Sequence, residues 1–469
     1  MSAELTPIQN SLKGQNLIGI ANNTMRELPP LSVLDEDLYA YKDNFWNPIS
    51  DIELGQYIYK MFADSYPSAW TPSKTKNIIE GIKYHPKVKK IDEFDTYKGR
   101  NLMNLQNGVL DLDNIKDGLI SHDQKYLSTS VIPVDYNPDN TDCPNFINFL
   151  KDTFRNPDNT IDTDMCETII QLGGYLLYPQ VRAKKLFVFY GNGSNGKSIL
   201  MDNVFSLFFN QNNVTDLSLN ILANEDNPAR GDLLVSRINM CGEQKGGEIA
   251  SDEIKKMVSG EMISVKRHYK NSRKRFRCHA KFLVSGNERI YLKDSTYGAD
   301  RRLFAIDFLN KFVSKQKYAL YEKEYAKVGL TPSEKRVFLA TDERVLTKQF
   351  IKESQAILNL FLEGLKQLRE NNWKFRKHAS IVRAELEYKE ESDPTTLWIN
   401  QAYKESSSDS DFIPFYEIYD NYILWFNLTF QQSKKNALSK IYLSKKIKEN
   451  FRIDNRVHKN KKGFNLKLL

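Results

Sequence analysis

The stretch Leu186-Phe-Val-Phe-Tyr-Gly-Asn-Gly-Ser-Asn-Gly-Lys-Ser-Ile-Leu-Met-Asp-Asn-Val-Phe205 reads as three consecutive pieces. Leu186–Tyr190 is a short unbroken apolar run, the pattern of a strand covered on both faces. Gly191-Asn192-Gly193-Ser194-Asn195-Gly196-Lys197-Ser198 fits GxxxxGK[ST]. After it, Leu200, Met201, Val204, Phe205 and Phe208 recur at helical spacing. Strand, glycine-rich loop and helix in this order form a phosphate cradle. The glycines let backbone N–H groups turn inward on phosphate oxygens. Lys197 reaches the terminal phosphates, the Ser198 hydroxyl suits Mg²⁺, and the helix N-terminus adds its dipole. ATP and Mg²⁺ are the ligands this loop predicts.

Working outward, such a loop needs a carboxylate at the end of another strand to polarise water. Leu233–Cys241 is strand-like and ends at Gly242-Glu243, which makes Glu243 the candidate acid and a second Mg²⁺ contact. Lys281–Gly286 is another short strand, followed by Asn287, an amide placed to orient that water. Arg301 and Arg302 follow, either of them able to reach the γ-phosphate of a neighbouring subunit. Between Glu243 and Asn287, residues 266–281 hold eight Lys/Arg and no acid, with Tyr269 and Phe276 among them. A basic hairpin with aromatics suits a nucleic-acid backbone. Strands alternating with helices make the core α/β.

The rest of the chain is organised around this core. Residues 1–100 read as mostly helical and rich in aromatics. Asn107-Gly108 in NLQNGVLDLDN marks a hairpin, and 126–136 a second strand-like run. Cys143–Leu177, 350–370 and 381–391 read as helical, and Ser406–Asp411 as a linker. The C-terminus is a basic module: residues 431–469 carry ten Lys and two Arg against Glu449 and Asp454, a net +10 in a chain whose total is +8. Phe415–Phe426 forms an apolar helical stripe. Leu443, Ile447 and Phe451 share one face of a second helix, with Lys445, Lys446 and Lys448 pointing elsewhere. Arg456–Lys462 surrounds a turn, and Gly463–Leu469 alternates like a strand. Together these predict a winged helix on duplex DNA. The 469 residues, with 41% hydrophobic and 27% charged, exclude a collagen, a coiled-coil rod and a mainly disordered chain. No apolar run approaches a membrane span, so no membrane partner is expected. The four cysteines are widely spaced, which argues against a disulfide framework or zinc site and fits a reducing cytoplasm.

The order of phosphate loop, acid, basic hairpin and asparagine within residues 191–287 resembles the superfamily 3 helicases, which are AAA+ ATPases. It is similar in more detail to the phage, plasmid and poxvirus primase–helicase family, and to replication initiators of phage satellites and staphylococcal pathogenicity islands. LMNLQNGVLDL at 102–112, VDYNP at 134–138, QLGGYLL at 171–177 and Ser259-Gly260-Glu261 carry the likeness outside the loop. It covers roughly residues 100–469. The resemblance implies an AAA+ core at 151–330, after a helical N-terminal region and small β collar at 1–150. A helical subdomain at 331–405 and a winged helix at 411–469 would follow. It implies a replicative helicase and initiator of a mobile element, working as a homo-hexamer on single-stranded and origin duplex DNA, with host replication proteins as further partners. Catalysis would fall to Lys197, Glu243, Asn287 and Arg301 or Arg302. Lys255, Lys266, Arg267, Lys270, Arg273 and Lys274 would grip DNA at the pore. Two departures stand out. Gln244 occupies the position where many members have a second acid, and about 100 residues before the first match are too few for a primase domain. Two other readings stay open: a DNA motor without strand separation, and an origin-binding protein for which nucleotide is only a switch.

Overall fold

The computed structural model describes residues 22, 24–26, 28–34, 36–63, 71–95, 97–250, 252–266, 273–293, 302–376, 379, 381–382, 394–406, 408, 411–429, 437–458 and 461–469, with backbone only at 61–63 and 293. They fall into two compact units, Met1–His378 and Ala379–Leu469.

The first unit opens with a meander, β1 (Leu31–Leu34), β2 (Asp37–Lys42) and β3 (Phe45–Pro48). The β2–β3 turn is Asp43-Asn44, both left-handed at φ 54° and 69°, as a two-residue hairpin turn matching strand twist requires. Helix α1 (Asp51–Ala63) starts in a reciprocal cap: the Ser50 N–H donates to Glu53 Oε2 at 2.8 Å, and the Glu53 N–H donates to Ser50 Oγ at 3.1 Å. Helix α2 (Pro72–Lys83) starts at the Thr71 cap with proline in its first turn. β4 (Lys89–Lys90) pairs parallel with β1. Leu54, Ile58, Ile78 and Ile82 seal helices onto sheet. The expectation of a mostly helical first hundred residues is therefore corrected. Short aromatic strands around Asp43-Asn44 fill 31–48.

β5 (Leu102–Leu105) and β6 (Gly108–Asp111) form the expected hairpin, but its turn is Gln106-Asn107, and Gly108 is already in β6. A Cβ there would lie 3.0 Å from the Ile120 carbonyl of β7 (Leu119–Ile120). The run 126–136 is not a strand. Its backbone pairs piecemeal, through a single bridge at Ile132 and through Ser128 O, which accepts from the Trp46 N–H.

Helices α3 (Pro144–Thr153) and α4 (Thr163–Leu177) precede β8 (Leu186–Tyr190). A helical segment follows at Ile199–Phe208, wound widely in its first turns and tightly in its last. Next come β9 (Val214–Thr215), α5 (Leu219–Ala223), β10 (Ile238–Cys241), β11 (Gly247–Ala250), α6 (Asp252–Val258), the hairpin β12 (Met262–Lys266) and β13 (Arg273–Arg277), β14 (Lys281–Gly286), β15 (Ile290–Lys293) and β16 (Leu303–Asp307). Then follow β17 (Lys311–Val313), α7 (Lys315–Ala326), β18 (Val337–Leu339) and the long α8 (Glu343–Glu370). The central sheet runs β16-β8-β14-β10-β9, parallel throughout. Burial of every β8 residue explains why that strand shows no polar alternation. β10 is shorter than the expected Leu233–Cys241, because Pro228–Leu234 winds into tight helical turns. Its buried Asn239 is a clamp: Oδ1 accepts from the Leu217 N–H at 2.8 Å and Nδ2 donates to Leu217 O at 2.9 Å.

The expected boundary at 150/151 cuts α3. This helix belongs with the sheet, because Glu353 of α8 accepts the N–H groups of Asn145 and Phe146, both at 3.0 Å. A buried carboxylate thus satisfies the α3 N-terminus. α4 and α8 pack through glycines. A Cβ on Gly174 would lie 2.1 Å from Phe361 O, and one on Gly364 2.7 Å from Ile170 O.

In the second unit, α9 (Pro394–Ala402), β19 (Tyr403–Glu405), β20 (Phe412–Pro414), α10 (Phe415–Thr429), α11 (Lys440–Phe451), β21 (Arg456–His458) and β22 (Lys461–Leu468) follow in order. β19, β20 and β21 all pair antiparallel with β22. The expected linker Ser406–Asp411 therefore joins two strands of one sheet and lies inside this unit. Trp398, Ile418, Tyr422, Leu443, Ile447 and Phe464 form its core.

Two outcomes follow. Gly174→Ala should destabilise the first unit by about 2–3 kcal/mol, since the obstacle is backbone that helix packing holds in place, and the denaturant midpoint will read this. Lys281, at the start of β14, is fully buried with its ammonium on Tyr178 O, and desolvation pulls its pKa down to about 7. Between about pH 7 and the ordinary lysine range near 10.5 the unfolded chain holds the proton that the folded chain has released. This group's contribution to stability therefore rises with pH in that window. Lys281→Met should raise Tm more at pH 6 than at pH 9.

Candidate nucleotide-binding site

The glycine-rich loop leaves β8 at the C-terminal edge of the parallel sheet. Gly191, Gly193 and Gly196 take φ of 154°, 82° and 92°, and Ser194 takes 50°. At Gly191 a Cβ would also strike Asn195 Nδ2 at 2.1 Å and Phe308 O at 2.5 Å. The loop is held from outside: Asn195 Nδ2 donates to Phe308 O at 3.3 Å, and the Phe312 N–H donates to Ser194 O at 2.6 Å. Lys197 is buried. Its ammonium donates to Gly191 O at 2.5 Å and Asn195 Oδ1 at 3.2 Å, both neutral oxygens. Desolvation lowers its pKa from the usual lysine value. A buried ammonium facing neutral dipoles suits an anionic ligand.

The loop opens on a cleft of about 1210 Å³. Gly193–Ser198 lines one side, Glu243 and Asn287 another. The regular pairing of the two strands bearing Glu243 and Asn287 is interrupted at the cleft, where the Gln244 N–H donates to Ser285 O at 2.8 Å, and then resumes. Cys241 lies opposite Val284 before the break and Gly247 opposite Ile290 after it. Each strand advances six residues, so the register is unchanged. Glu243 and Asn287 both sit in the gap and are exposed to the cleft. Glycines let the two bulges touch: a Cβ on Gly246 would lie 2.5 Å from Glu288 Cβ, and one on Gly286 2.7 Å from Gln244 O. Just after the bulge, Arg289 is bidentate to Asp307 at 2.9 and 3.2 Å and lies 4.4 Å above the Tyr190 ring.

Gln244, the residue in place of a second acid, also lines this cleft but is buried. Its Oε1 accepts from the Leu219 N–H at 2.7 Å and its Nε2 donates to Lys245 O at 2.8 Å. It anchors the start of α5, which leaves Ser198 and Glu243 as the predicted Mg²⁺ contacts in the cleft. Its remaining lining comes from elements the sequence did not single out. Asn145, Phe149 and Asp152 enter from α3, Glu343, Leu346 and Gln349 from α8, and Phe312 and Leu339 from the flanking strands.

Arg302 lies at the opposite end of the sheet, beside the start of β8, with Nε donating to Ser259 Oγ at 3.2 Å. Arg301, Arg267 and Lys270 lie outside the described residues. Lys255 sits on α6, 3.4 Å from Asp252, and Lys266 ends β12. Arg273 is engaged with Asp226 at 2.8 Å and Glu225 O at 2.8 Å, and Lys274 is buried 3.1 Å from Asp37 of β2. These last two root the hairpin in the protein. On α11, Lys445 lies 3.8 Å from Glu449 and Lys448 2.9 Å from Asp454, and Lys446 is half-buried. Among the described residues no helix is long and apolar enough to cross a membrane.

Comparison with known proteins matches residues 31–155 to the family model described as D5 N terminal like, and 189–302 to one described as a family of unknown function (DUF5906). "Putative helicase 121R" of Invertebrate iridescent virus 3 is 24% identical over 350 residues, covering 69% of this chain and 35% of that protein. The chain spans about a third of the length of that relative. Among solved structures, the A form apo structure of the NrS-1 C terminal region aligns with a TM-score of 0.50 and 14% identity over 96% of this chain and 98% of that one. A second structure of that region gives 0.50 and 13% over 94% and 97%. At such identities the likeness is one of fold, a mixed α/β architecture with parallel sheet.

If the cleft hydrolyses nucleotide, Lys197→Ala should lower turnover at least a hundredfold together with nucleotide affinity. Glu243→Gln should lower turnover as far while binding is retained, since it removes only the base. Single-turnover hydrolysis and equilibrium binding of a fluorescent ATP analogue separate the two. Full turnover by Glu243→Gln would end its assignment.

Proposed function

We propose that this chain is an ATP-dependent DNA helicase of the superfamily 3 type, acting in replication of a mobile genetic element as a ring, most simply a hexamer. The observation that carries the reading is the cleft in which a phosphate-type loop, Glu243 and Asn287 converge at the C-terminal edge of the parallel sheet. The D5 N terminal like match and the helicase name of the viral relative support the same direction. Lys197 and the loop N–H groups would hold the β- and γ-phosphates. Ser198, with Glu243 nearby, would hold Mg²⁺, which supplies charge neutralisation between the phosphates. Glu243 would polarise the attacking water and Asn287 would orient it. Arg302 lies across the sheet from its own cleft, so any role at a γ-phosphate would be at a neighbour's site.

The second unit would act as a winged helix on duplex DNA. Helix α11 would enter the major groove, with β21 and β22 as the wing. Its topology of helix, two strands, two helices and two strands supports this, as does the +10 charge of 431–469.

A forked duplex with a fluorescent strand tests the reading. The wild type should displace the strand with ATP, and Glu243→Gln should not. A truncation lacking 379–469 should keep displacement on a preformed fork but lose binding to origin duplex. ATP turnover without displacement would favour a motor of another kind. Duplex binding without turnover would favour a nucleotide switch.

A further inference from the structure

The outer face of α11 is not uniformly charged. Leu443 and Ile447 hold the opposite face in the core. At 100° per residue Ile441, Lys445 and Lys448 fall on one outward stripe, and Tyr442 lies beside it. Ile441 is 80% exposed and Tyr442 66% exposed, side by side in the first turn. β21 repeats the mixture: Val457 is 71% exposed between exposed Arg456 and His458, opposite exposed Lys461 and Lys462.

Single exposed apolar residues are ordinary on protein surfaces. Two adjacent ones on the most basic helix of a basic module need an occupant that is both polyanionic and locally apolar. Charge complementarity selects nucleic acid, because residues 431–469 oppose twelve Lys/Arg to two acids. Lysine and arginine on phosphate give affinity without sequence. In the major groove, the apolar group that base edges present is the C5 methyl of thymine. We propose that Ile441 and Tyr442 read thymine methyl groups in the major groove, so that this unit selects sites by the placement of T·A pairs while its cations bind any backbone. The inference rests on the duplex-DNA reading above.

The test uses the full chain and duplexes of about 30 base pairs with a randomised centre. After selection, the enriched duplex is titrated by fluorescence anisotropy, as made and with deoxyuridine in place of thymine. Enrichment of T·A pairs at fixed positions is expected, with about a three- to fivefold loss of affinity for each contacted methyl removed. Ile441→Ala and Tyr442→Ala should abolish the thymine–uracil difference without changing the slope of log affinity against log salt. Both positions are exposed, so the variants should fold as the wild type does. Equal affinity for thymine and uracil duplexes overturns the methyl readout and leaves the duplex reading standing. A thymine–uracil difference that survives in both variants overturns the role of these residues, and altered oligomerisation of the same variants would reassign them to a protein contact. No binding to duplex at all overturns both proposals.

Discussion

The regular pairing of two neighbouring parallel strands is interrupted for a few residues and then resumes in the same register, and the candidate site depends on that interruption. While β10 and β14 are paired, their side chains lie buried between layers. Where the pairing is interrupted, Glu243 and Asn287 face the cleft. The bulges are equal in length, so β11 and β15 pair beyond them in the same register, as a two-stranded sheet of their own. Gly246 and Gly286 allow the two bulges to touch, and any side chain there would force them apart. The glycine-rich loop supplies the third wall. The ends of the sheet strands thus bring together groups that are distant in sequence, as open parallel sheets do at their carboxyl edges.

The buried cations mark the two ends of this sheet. At the cleft end, the partners of Lys197 among the described residues are neutral oxygens. At the other end, Arg237 pairs with Asp95 and donates to Thr129 at 2.9 Å, and Lys281 donates to Tyr178 O. The Arg237 contacts fasten Asp95 and Thr129 to the base of the central sheet, Lys281 ties it to the end of α4, and Lys274–Asp37 joins the N-terminal sheet to the β12–β13 hairpin. The charged groups that a sequence reading would offer to DNA are thereby divided. Arg273 and Lys274 hold the hairpin's root, whereas Lys266 is exposed at the end of β12.

Much was legible because it is local. The loop pattern, the apolar β8, the helical face ending at Phe208 and the α11 stripe depend on neighbours within a few residues, and each reappears in the fold. The N-terminal strands were also local, with Asp43-Asn44 as their signal, but aromatic density hid it. Pro48 ends β3 and Pro72 opens α2.

The sequence by itself determined the glycine-rich loop pattern, the acid at Glu243 and where charge accumulates, because residue type and short-range spacing decide them. Tertiary structure alone decided which groups reach the cleft. Asn145 and Phe149 of α3 and Leu346 and Gln349 of α8 line it because Glu353 and the Gly174–Gly364 crossing dock those helices some two hundred residues apart in the chain. Tertiary structure also turned Gln244 to anchor α5 and Lys274 to face Asp37. A polar side chain's role depends on the partner that long-range packing places beside it, and no local pattern specifies that partner.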